Sequence, residues 1–257
     1  MEHTVKPDWS HLRAGGTMFG CFVSTPSTVS VEVLGLVGFD YLLIDLEHGM
    51  SSERDALAQL QAMEHTPALA CVRVESHSQL RVSRLLDFGA RAIMFPRVDT
   101  ADQARACVAM MRYAPDGTRG LAVNVRASQF GSRFAEYRTD QGLLTLLQIE
   151  TPEAVANVDE IAAVDGADVL FVGPMDLTNS LGIFRQYDHP LFVDALDRTI
   201  AACRRHGRVP GILLPIASAC PRYLDLGFRF LTCGTDIAFL QTAGRQTIEA
   251  LRQGSSG

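Results

Sequence analysis

Short apolar runs recur along the whole chain, separated by stretches with apolar residues at helical spacing. The runs do not alternate apolar with polar residues, which is typical of parallel strands buried on both faces. The pattern predicts eight strands, at residues 17–24, 41–46, 69–74, 92–98, 146–149, 169–175, 209–214 and 230–233. It predicts helices at residues 28–37, 52–63, 80–88, 100–113, 152–164, 190–206, 218–226 and 236–252.

No linker divides this alternation, so we predict one domain over residues 1–253 and a flexible tail at 254–257. Eight strand–helix units in 257 residues fit a single α/β domain, a (β/α)8 TIM barrel. A doubly wound open sheet is the alternative, weakened because no G-x-G-x-x-G motif or P-loop follows the first strand. Residues 113–142 interrupt the alternation with arginine, glycine and aromatic residues, and a connection this long is usually functional.

Composition narrows the class of protein. The net charge of −6 and the lack of a basic run argue against nucleic acid as a partner. No apolar stretch approaches the roughly 20 residues that span a membrane, and the N-terminus lacks an apolar signal core. The six cysteines are scattered without a C-x-x-C pair, which predicts buried thiols in a reducing compartment and hence a cytoplasmic protein.

The most informative stretch is a predicted βαβ unit at residues 146–181. Its first strand ends at Glu150 and its second strand reaches Asp176. Parallel strands end on one face of a sheet, so the two carboxylates are expected side by side. Oxygen ligands suit Mg²⁺ or Mn²⁺, and the pair therefore predicts a metal site. The alternative is that each acid only caps the helix that follows it.

Further charged residues follow the predicted strands on the face where a barrel carries its functional side chains. They are Asp45, Glu47, His48, Arg73, Arg97 and Asp236.

Two of these residues have a specific chemistry to offer. His48 can exchange a proton near neutral pH, although a loop histidine is often only solvated. Arg73 lies inside the apolar run ACVRV, and a buried guanidinium needs an anion, which could be a substrate oxyanion or a purely structural partner, Asp45. Asp87 ends a helix whose dipole disfavours an acid there, and one use for it is to orient His48.

The segment Gly173-Pro174-Met175-Asp176 predicts a tight turn into a helix whose free N–H groups can bind a small anion. A 2-oxo acid fits this segment and the metal together, with its carboxylate on the amides and its keto oxygen on the cation. The only lysine is Lys6, before the first strand, so the body of the protein offers no Schiff-base residue.

An ordered set of motifs resembles the HpcH/HpaI aldolase family, the class II pyruvate aldolases. The motifs are FDYLLIDLEHG, CVRVE, GARAIMFPRVDTADQA, RYAPDGTRG, LLQIET and FVGPMDL, within residues 20–236. The resemblance implies a divalent metal, Mg²⁺ or Mn²⁺ and also Co²⁺ or Zn²⁺, on Glu150 and Asp176. It implies that the substrate carboxylate lies on the amides near Met175 and Asp176. It also implies a homo-oligomer, a trimer or hexamer in which the C-terminal helix packs on a neighbouring copy.

The resemblance also implies roles for residues at the other strand ends. Arg73 corresponds to the arginine that stabilises the enolate oxygen, and His48 with Asp87 corresponds to an acid/base dyad. Gln148 corresponds to a residue that contacts the metal site or substrate, and Asp45 belongs to the loop that carries His48. Met175 replaces the small residue usual in the family, and residues 119–137 do not identify the acceptor.

The sequence therefore predicts a carbon–carbon lyase, a metal-dependent aldolase. It would cleave a 4-hydroxy-2-oxo acid reversibly to pyruvate (or a close analogue) and an aldehyde through a metal-stabilised enolate, in the catabolism of aromatic compounds or sugar acids. The alternatives are a CoA-ester lyase of the citrate lyase β type or an oxo-acid decarboxylase on the same scaffold. An alternative of another class is a barrel that binds a 2-oxo acid without catalysis.

Overall fold

The eight apolar runs form eight parallel strands that close into a barrel in sequence order, as a computed structural model of the chain shows. The structure describes residues 8–139 and 142–254, so Lys6 and the tail residues 255–257 lie outside it. The strands are β1 Met18–Val23, β2 Tyr41–Asp45, β3 Leu69–Arg73, β4 Ala92–Phe95, β5 Leu144–Ile149, β6 Val169–Val172, β7 Val209–Leu214 and β8 Phe230–Thr235. The predicted TIM barrel is confirmed, and the open sheet is excluded because β8 pairs with β1.

Helices connect the strands along the outside of the barrel. They are α1 Ser10–Arg13, α2 Thr28–Val37, α3 Glu53–Ala62, α4 Gln79–Phe88, α5 Ala101–Met111, α6 Phe134–Thr139, α7 Pro152–Ala156, α8 Val158–Ala162, α9 Pro174–Ser180, α10 Pro190–His206, α11 Cys220–Leu226 and α12 Asp236–Gly254. Side-chain caps fix two of the helix starts, since Ser52 and Thr100 each form a capping box, with Asp55 and Gln103. No helix in the described residues is long and apolar enough to cross a lipid bilayer.

The strands bury apolar side chains on both faces, which explains why their sequences do not alternate. The larger layer lies between the strands and the helices. The smaller layer fills the inside of the barrel. Trp9 closes the amino-terminal end of this inner layer: its indole N–H donates to the Arg91 carbonyl (3.1 Å) and its ring packs near Tyr41 and Phe230. Side chains therefore fill the barrel from its amino-terminal end upward, and the polar residues follow at its carboxyl end.

Several predicted elements differ in the structure. The strand predicted at 169–175 ends at Val172, because α9 begins at Pro174. Strand β4 ends at Phe95 because Pro96 has no N–H to donate to a ladder. The predicted helix at 152–164 is two short helices separated at Asn157, whose side chain donates to the Asp99 carbonyl (2.8 Å). The long connection at 113–142 contains a 3₁₀ turn, Arg126–Ser128, and helix α6, and its residues 140–141 lie outside the described chain.

Candidate active site

The alternation of side chains along each strand places polar groups at the carboxyl end of the barrel. On β3, Leu69 and Cys71 lie in the inner core layer, and the next residue with the same orientation is Arg73. On β2 the corresponding residue is Asp45, whose Cα pairs directly with that of Arg73. On β5 it is Gln148. The inner layer thus changes from apolar to polar at its uppermost positions.

Arg73 forms the best-connected ion pair of this end. Its Nε and Nη2 donate to the two carboxylate oxygens of Asp45 (2.9 and 2.7 Å), and Nη1 lies 3.1 Å from Glu47 Oε2. Burial alone would lower the pKa of Arg73, but the hydrogen bonds and charges of Asp45 and Glu47 outweigh it and raise the pKa. A guanidinium has five N–H groups, so these contacts leave two for another acceptor. The Arg73–Asp45 pair that the sequence allows is therefore formed, and Arg73 still has two N–H groups that could bind a substrate oxyanion.

Glu150 is the most perturbed carboxyl group at this end of the barrel. It is buried, its Oε1 accepts from Gln148 Nε2 (2.6 Å), and the Arg97 backbone N–H lies 3.4 Å from Oε2. Burial, and then the negative charges of Asp176 and Glu47, raise the pKa of Glu150 to about 8. Asp176, in the first turn of α9, is therefore near enough to destabilise the Glu150 carboxylate. Both acids thus follow neighbouring strands, β5 and β6, at the carboxyl end of the barrel, and their pairing as metal ligands stays a prediction.

These oxygen atoms fit a divalent cation. The Oε1 atom of Gln148 is buried without a hydrogen-bond partner, which leaves a buried acceptor next to Glu150. A cation beside Glu150 and Asp176 would remove the mutual repulsion that raises the Glu150 pKa. No group of three or more His, Cys, Asp or Glu side chains arranged to hold a metal occurs in residues 8–139 and 142–254. The candidate ligands are thus two carboxylates, with an amide oxygen near them.

Gly173 lets the backbone of the next strand approach Glu150 closely. An added Cβ at this position would lie 2.2 Å from Glu150 Oε1. Gly173 precedes α9, in which Pro174 occupies the first turn and is buried, whereas Met175 is 44% exposed. The predicted glycine–proline turn into a helix is confirmed, and it places the start of α9 beside the carboxylate pair.

His48 follows β2 and is open to solvent, with its side chain 64% exposed. Its Nε2 lies 3.9 Å from Glu47 Oε2, and its backbone N–H donates to Asp45 Oδ1 (3.2 Å). Burial raises the pKa of Glu47, while the charge of Arg73 opposes the rise. Glu47, to which the sequence assigned no role, thus links His48 to Arg73.

Asp87 lies elsewhere in this chain. It ends α4, and the helix of a βα unit runs back toward the amino-terminal ends of the strands. Its Oδ1 accepts from Arg119 Nη2 (3.0 Å) and from the Tyr137 hydroxyl (2.9 Å), and Arg119 lines a cavity there with Leu69. The described residues form no His48–Asp87 contact. A role for Asp87 at His48 would therefore need a second copy of the chain.

Asp236 and His77 each join separate loops at the carboxyl end of the barrel. Asp236 accepts from the backbone N–H groups of Ser24 and Thr25 (2.9 and 3.1 Å), so it ties β8 to the loop after β1. The sequence did not single out His77, which lies in the loop between β3 and α4. Its Nε2 donates to the Pro96 carbonyl (2.7 Å), which pins the corner after β4.

A barrel with buried carboxylates, an ion-paired arginine and a histidine at its carboxyl end is typical of enzymes that act on small anionic substrates. The sequence profile of the HpcH/HpaI aldolase/citrate lyase family matches residues 18–243, and the chain belongs to this family. It is a carbon–carbon lyase of the aldolase type.

Known relatives are similar over nearly the whole chain. The chain is 35% identical over 245 residues to 5-keto-4-deoxy-D-glucarate aldolase of Klebsiella pneumoniae, a match that covers 94% of this chain and 95% of the relative. A crystal structure of an HpcH/HpaI aldolase/citrate lyase family protein from Burkholderia cenocepacia has 36% identity and a TM-score of 0.90, covering 95% and 98% of the two chains. The citrate lyase β subunit of Mycobacterium tuberculosis is 18% identical with a TM-score of 0.59, covers 88% and 95%, and shares the fold alone.

Proposed function

We propose that this enzyme cleaves a 4-hydroxy-2-oxo acid to pyruvate and an aldehyde and also catalyses the reverse addition. The arrangement around Glu150 carries the proposal. Glu150 is buried with a raised pKa, and the Gln148 oxygen beside it has no hydrogen-bond partner. Arg73 has unused N–H donors at the same end of the barrel. Such a site can bind the keto oxygen of the substrate and stabilise the negative charge that it gains when the carbon–carbon bond breaks.

Glu150 and Asp176 are the proposed ligands of a divalent cation, Mg²⁺ or Mn²⁺, with Co²⁺ or Zn²⁺ as further possibilities. Both carboxylates are hard oxygen donors, which suits Mg²⁺ and Mn²⁺. A cation bound there would polarise the keto group of the substrate as a Lewis acid. Gln148 would hold Glu150 in place through its amide N–H, since that hydrogen bond fixes one carboxylate oxygen at 2.6 Å.

The remaining residues bind the substrate and move the proton. The two unused N–H groups of Arg73 would donate to the developing oxyanion, and Asp45 would keep the guanidinium in place. The backbone N–H groups of Met175 and Asp176, in the first turn of α9, would hold the substrate carboxylate. His48, solvent-open and next to Glu47, would accept the C4 hydroxyl proton and return it in the reverse direction.

The similarity to 5-keto-4-deoxy-D-glucarate aldolase extends this proposal to the substrate class. The substrate in that name is a six-carbon sugar diacid. When its carbons are numbered from the carboxylate next to the keto group, it is a 2-oxo-3-deoxy acid. Its cleavage between C3 and C4 gives pyruvate and a three-carbon aldehyde that carries the second carboxylate. We propose sugar diacids of this kind as the substrates, and sugar acid catabolism as the process.

We also propose that the enzyme works in the cytoplasm as a homo-oligomer, a trimer or a hexamer. The six cysteines are free thiols, four of them buried, which suits a reducing compartment. Helix α12 has only Asp236 buried and exposes Leu240 and Leu251 by 68% and 65%, so a neighbouring copy is the natural cover for it.

The decisive experiment follows the methyl protons of pyruvate by NMR in D₂O, with enzyme that has been treated with a chelator. Exchange of these protons for deuterium should require Mg²⁺ or Mn²⁺ and no aldehyde, because it needs only the enolate half of the reaction. Glu150→Gln and Asp176→Asn should each abolish it, whereas Gln246→Glu on the exposed face of α12 should not. Full metal-dependent exchange in either site variant would contradict the ligand assignment. Turnover of a CoA thioester without cleavage of any hydroxy-oxo acid would instead favour a CoA-ester lyase.

A further inference from the structure

The corner after β4 presents an arginine at the carboxyl end of the barrel and holds it from three sides. His77 donates to the Pro96 carbonyl (2.7 Å), and the Val98 N–H donates to the Gln148 carbonyl (3.1 Å). Between these two contacts, the Arg97 N–H lies 3.4 Å from Glu150 Oε2. The backbone of Arg97 is therefore part of the wall around Glu150, while its side chain is exposed.

Arg97 has a backbone conformation that side chains other than glycine rarely adopt. Its φ is +49°, in the left-handed region, where a Cβ is disfavoured. A glycine would relax this corner without a change in the surrounding contacts. Strained residues of this kind gather at binding and catalytic sites, where the neighbouring structure holds them. Arginine at this position thus has a conformational cost that glycine would not have.

Within residues 8–139 and 142–254, the guanidinium of Arg97 has no acidic partner. It forms no ion pair with any described residue, although Glu47, Glu150 and Asp176 lie at the same end of the barrel. Arg73, in contrast, already binds two carboxylates. Arg97 is thus an available positive charge at the rim of a site whose inner side chains are predominantly acidic.

We propose that Arg97 determines substrate specificity by binding a carboxylate at the far end of the substrate, on the half that leaves as the aldehyde. This inference rests on the proposed function and adds the residue that selects diacids over monoacids. In the proposed function, Glu150, Asp176 and Arg73 would bind the inner end of a 2-oxo acid, and its other end would extend toward the rim. A guanidinium there forms a charge-assisted hydrogen bond that a neutral hydroxymethyl end cannot replace in full.

Arg185 is the rival residue for the same role. It too has a left-handed backbone, with φ +60°, and lies exposed on the loop after α9. Its guanidinium lies 5.9 Å from the centre of the exposed Phe184 ring, and its backbone N–H donates to Thr178 on α9 (3.1 Å). The backbone N–H of Arg97 lies beside Glu150, whereas no contact among the described residues joins Arg185 to Glu150, so we place the specificity at Arg97.

The test compares kcat/KM for two matched substrates, a six-carbon 2-oxo-3-deoxy sugar diacid and the monoacid in which a hydroxymethyl group replaces the distal carboxylate. Arg97→Met should lower the ratio of diacid to monoacid kcat/KM by about tenfold to hundredfold, as expected for a lost charged hydrogen bond. Arg97→Lys should restore part of the ratio. Arg97→Gly, which relaxes the backbone, should lower the ratio as much as Arg97→Met, because both variants remove the charge.

Two controls make the outcome decisive. Arg105→Met, on the outer surface of α5, and Arg185→Met should both keep the ratio of the unmodified enzyme. Three results would each overturn the inference. Arg97→Met could leave the ratio of diacid to monoacid kcat/KM unchanged, or it could lower kcat/KM equally for both substrates. Arg185→Met could lower the ratio. Pyruvate deuterium exchange by the unmodified enzyme tells a failure of the proposed function from a failure of the Arg97 assignment. If the unmodified enzyme catalyses no exchange, the proposed function is wrong. If it catalyses exchange, a negative result in the variants concerns Arg97 alone.

Discussion

At the scale of single residues, the site depends on buried charges that neutralise one another. Arg73 and Asp45 have side chains only 9% and 4% exposed and share a two-point hydrogen bond. Removal of one member of such a pair typically costs about 3–5 kcal/mol, because the other charge stays buried without a partner. The geometry of this pair thus fixes the guanidinium for the reaction.

Glu150 predicts how the stability of the metal-free protein depends on pH. The folded pKa is raised to about 8, whereas the unfolded side chain titrates near 4.5. Between these values the folded state holds more protons than the unfolded state, so this carboxyl makes the free energy of unfolding decrease as pH rises. The limiting slope for one group is about 1.4 kcal/mol per pH unit. Chemical denaturation at pH values from 5 to 8, with a chelator present, should show the free energy of unfolding decreasing with pH. The decrease should be smaller in Glu150→Gln.

A divalent cation supplies the control for this prediction. Saturating Mn²⁺ should flatten the pH dependence of the unmodified protein, because the metal favours the charged carboxylate, and it should have no such effect on Glu150→Gln. An identical pH dependence in the two metal-free proteins would show that Glu150 is ionised over the whole range and would contradict its raised pKa.

At the scale of secondary structure, the approach of the β6–α9 turn to β5 limits what position 173 can hold. Gly173 has φ −94°, a value that any residue adopts, so its requirement for glycine is steric: a Cβ would lie 2.2 Å from Glu150 Oε1. We expect Gly173→Ala to displace Glu150, to destabilise the fold by about 1–3 kcal/mol and to lose most pyruvate exchange. A fully active Gly173→Ala would contradict the role of this close approach.

The elements of the barrel were largely predictable, since buried parallel strands have a distinct sequence pattern. Helix α10 and strand β7 have the predicted bounds, 190–206 and 209–214. The break at Asn157 was not predictable, because it depends on a hydrogen bond to Asp99 from another part of the chain. The same applies to the inner plug formed by Trp9.

The candidate site was predictable where a residue lies on a strand, and less so elsewhere. Strand register brings Asp45 beside Arg73, and the βαβ unit brings Glu150 near Asp176. The expected pairing of His48 with Asp87 failed within the chain because a helix end lies on the opposite face of the barrel from a strand end. The catalytic roles of these residues stay predictions until the variants are tested.

At the scale of the whole molecule, the last helix is the feature that a single barrel does not explain. Helix α12 spans 19 residues and has only its first residue buried. Leu240, Ile248 and Leu251 recur on one side at helical spacing, and all three are exposed. A helix without packed neighbours is only marginally stable in water, and monomeric proteins rarely expose a continuous apolar surface. Helix α2 adds exposed apolar residues, among them Val33 and Leu36.

We therefore predict that the protein forms a trimer or hexamer in solution and that α12 packs on another copy. The combined change Leu240→Glu and Leu251→Glu should reduce the mass measured by light scattering after size-exclusion chromatography, because it places charges in the apolar contact. Gln246→Glu with Gln253→Glu adds the same charge at polar positions of the same helix and should keep the assembly. A monomeric unmodified protein at micromolar concentration, or an unchanged mass in the leucine variant, would contradict the prediction. If assembly also brings Asp87 of one copy to His48 of another, the leucine variant should lose cleavage activity even at temperatures where its thermal melt shows that it is still folded.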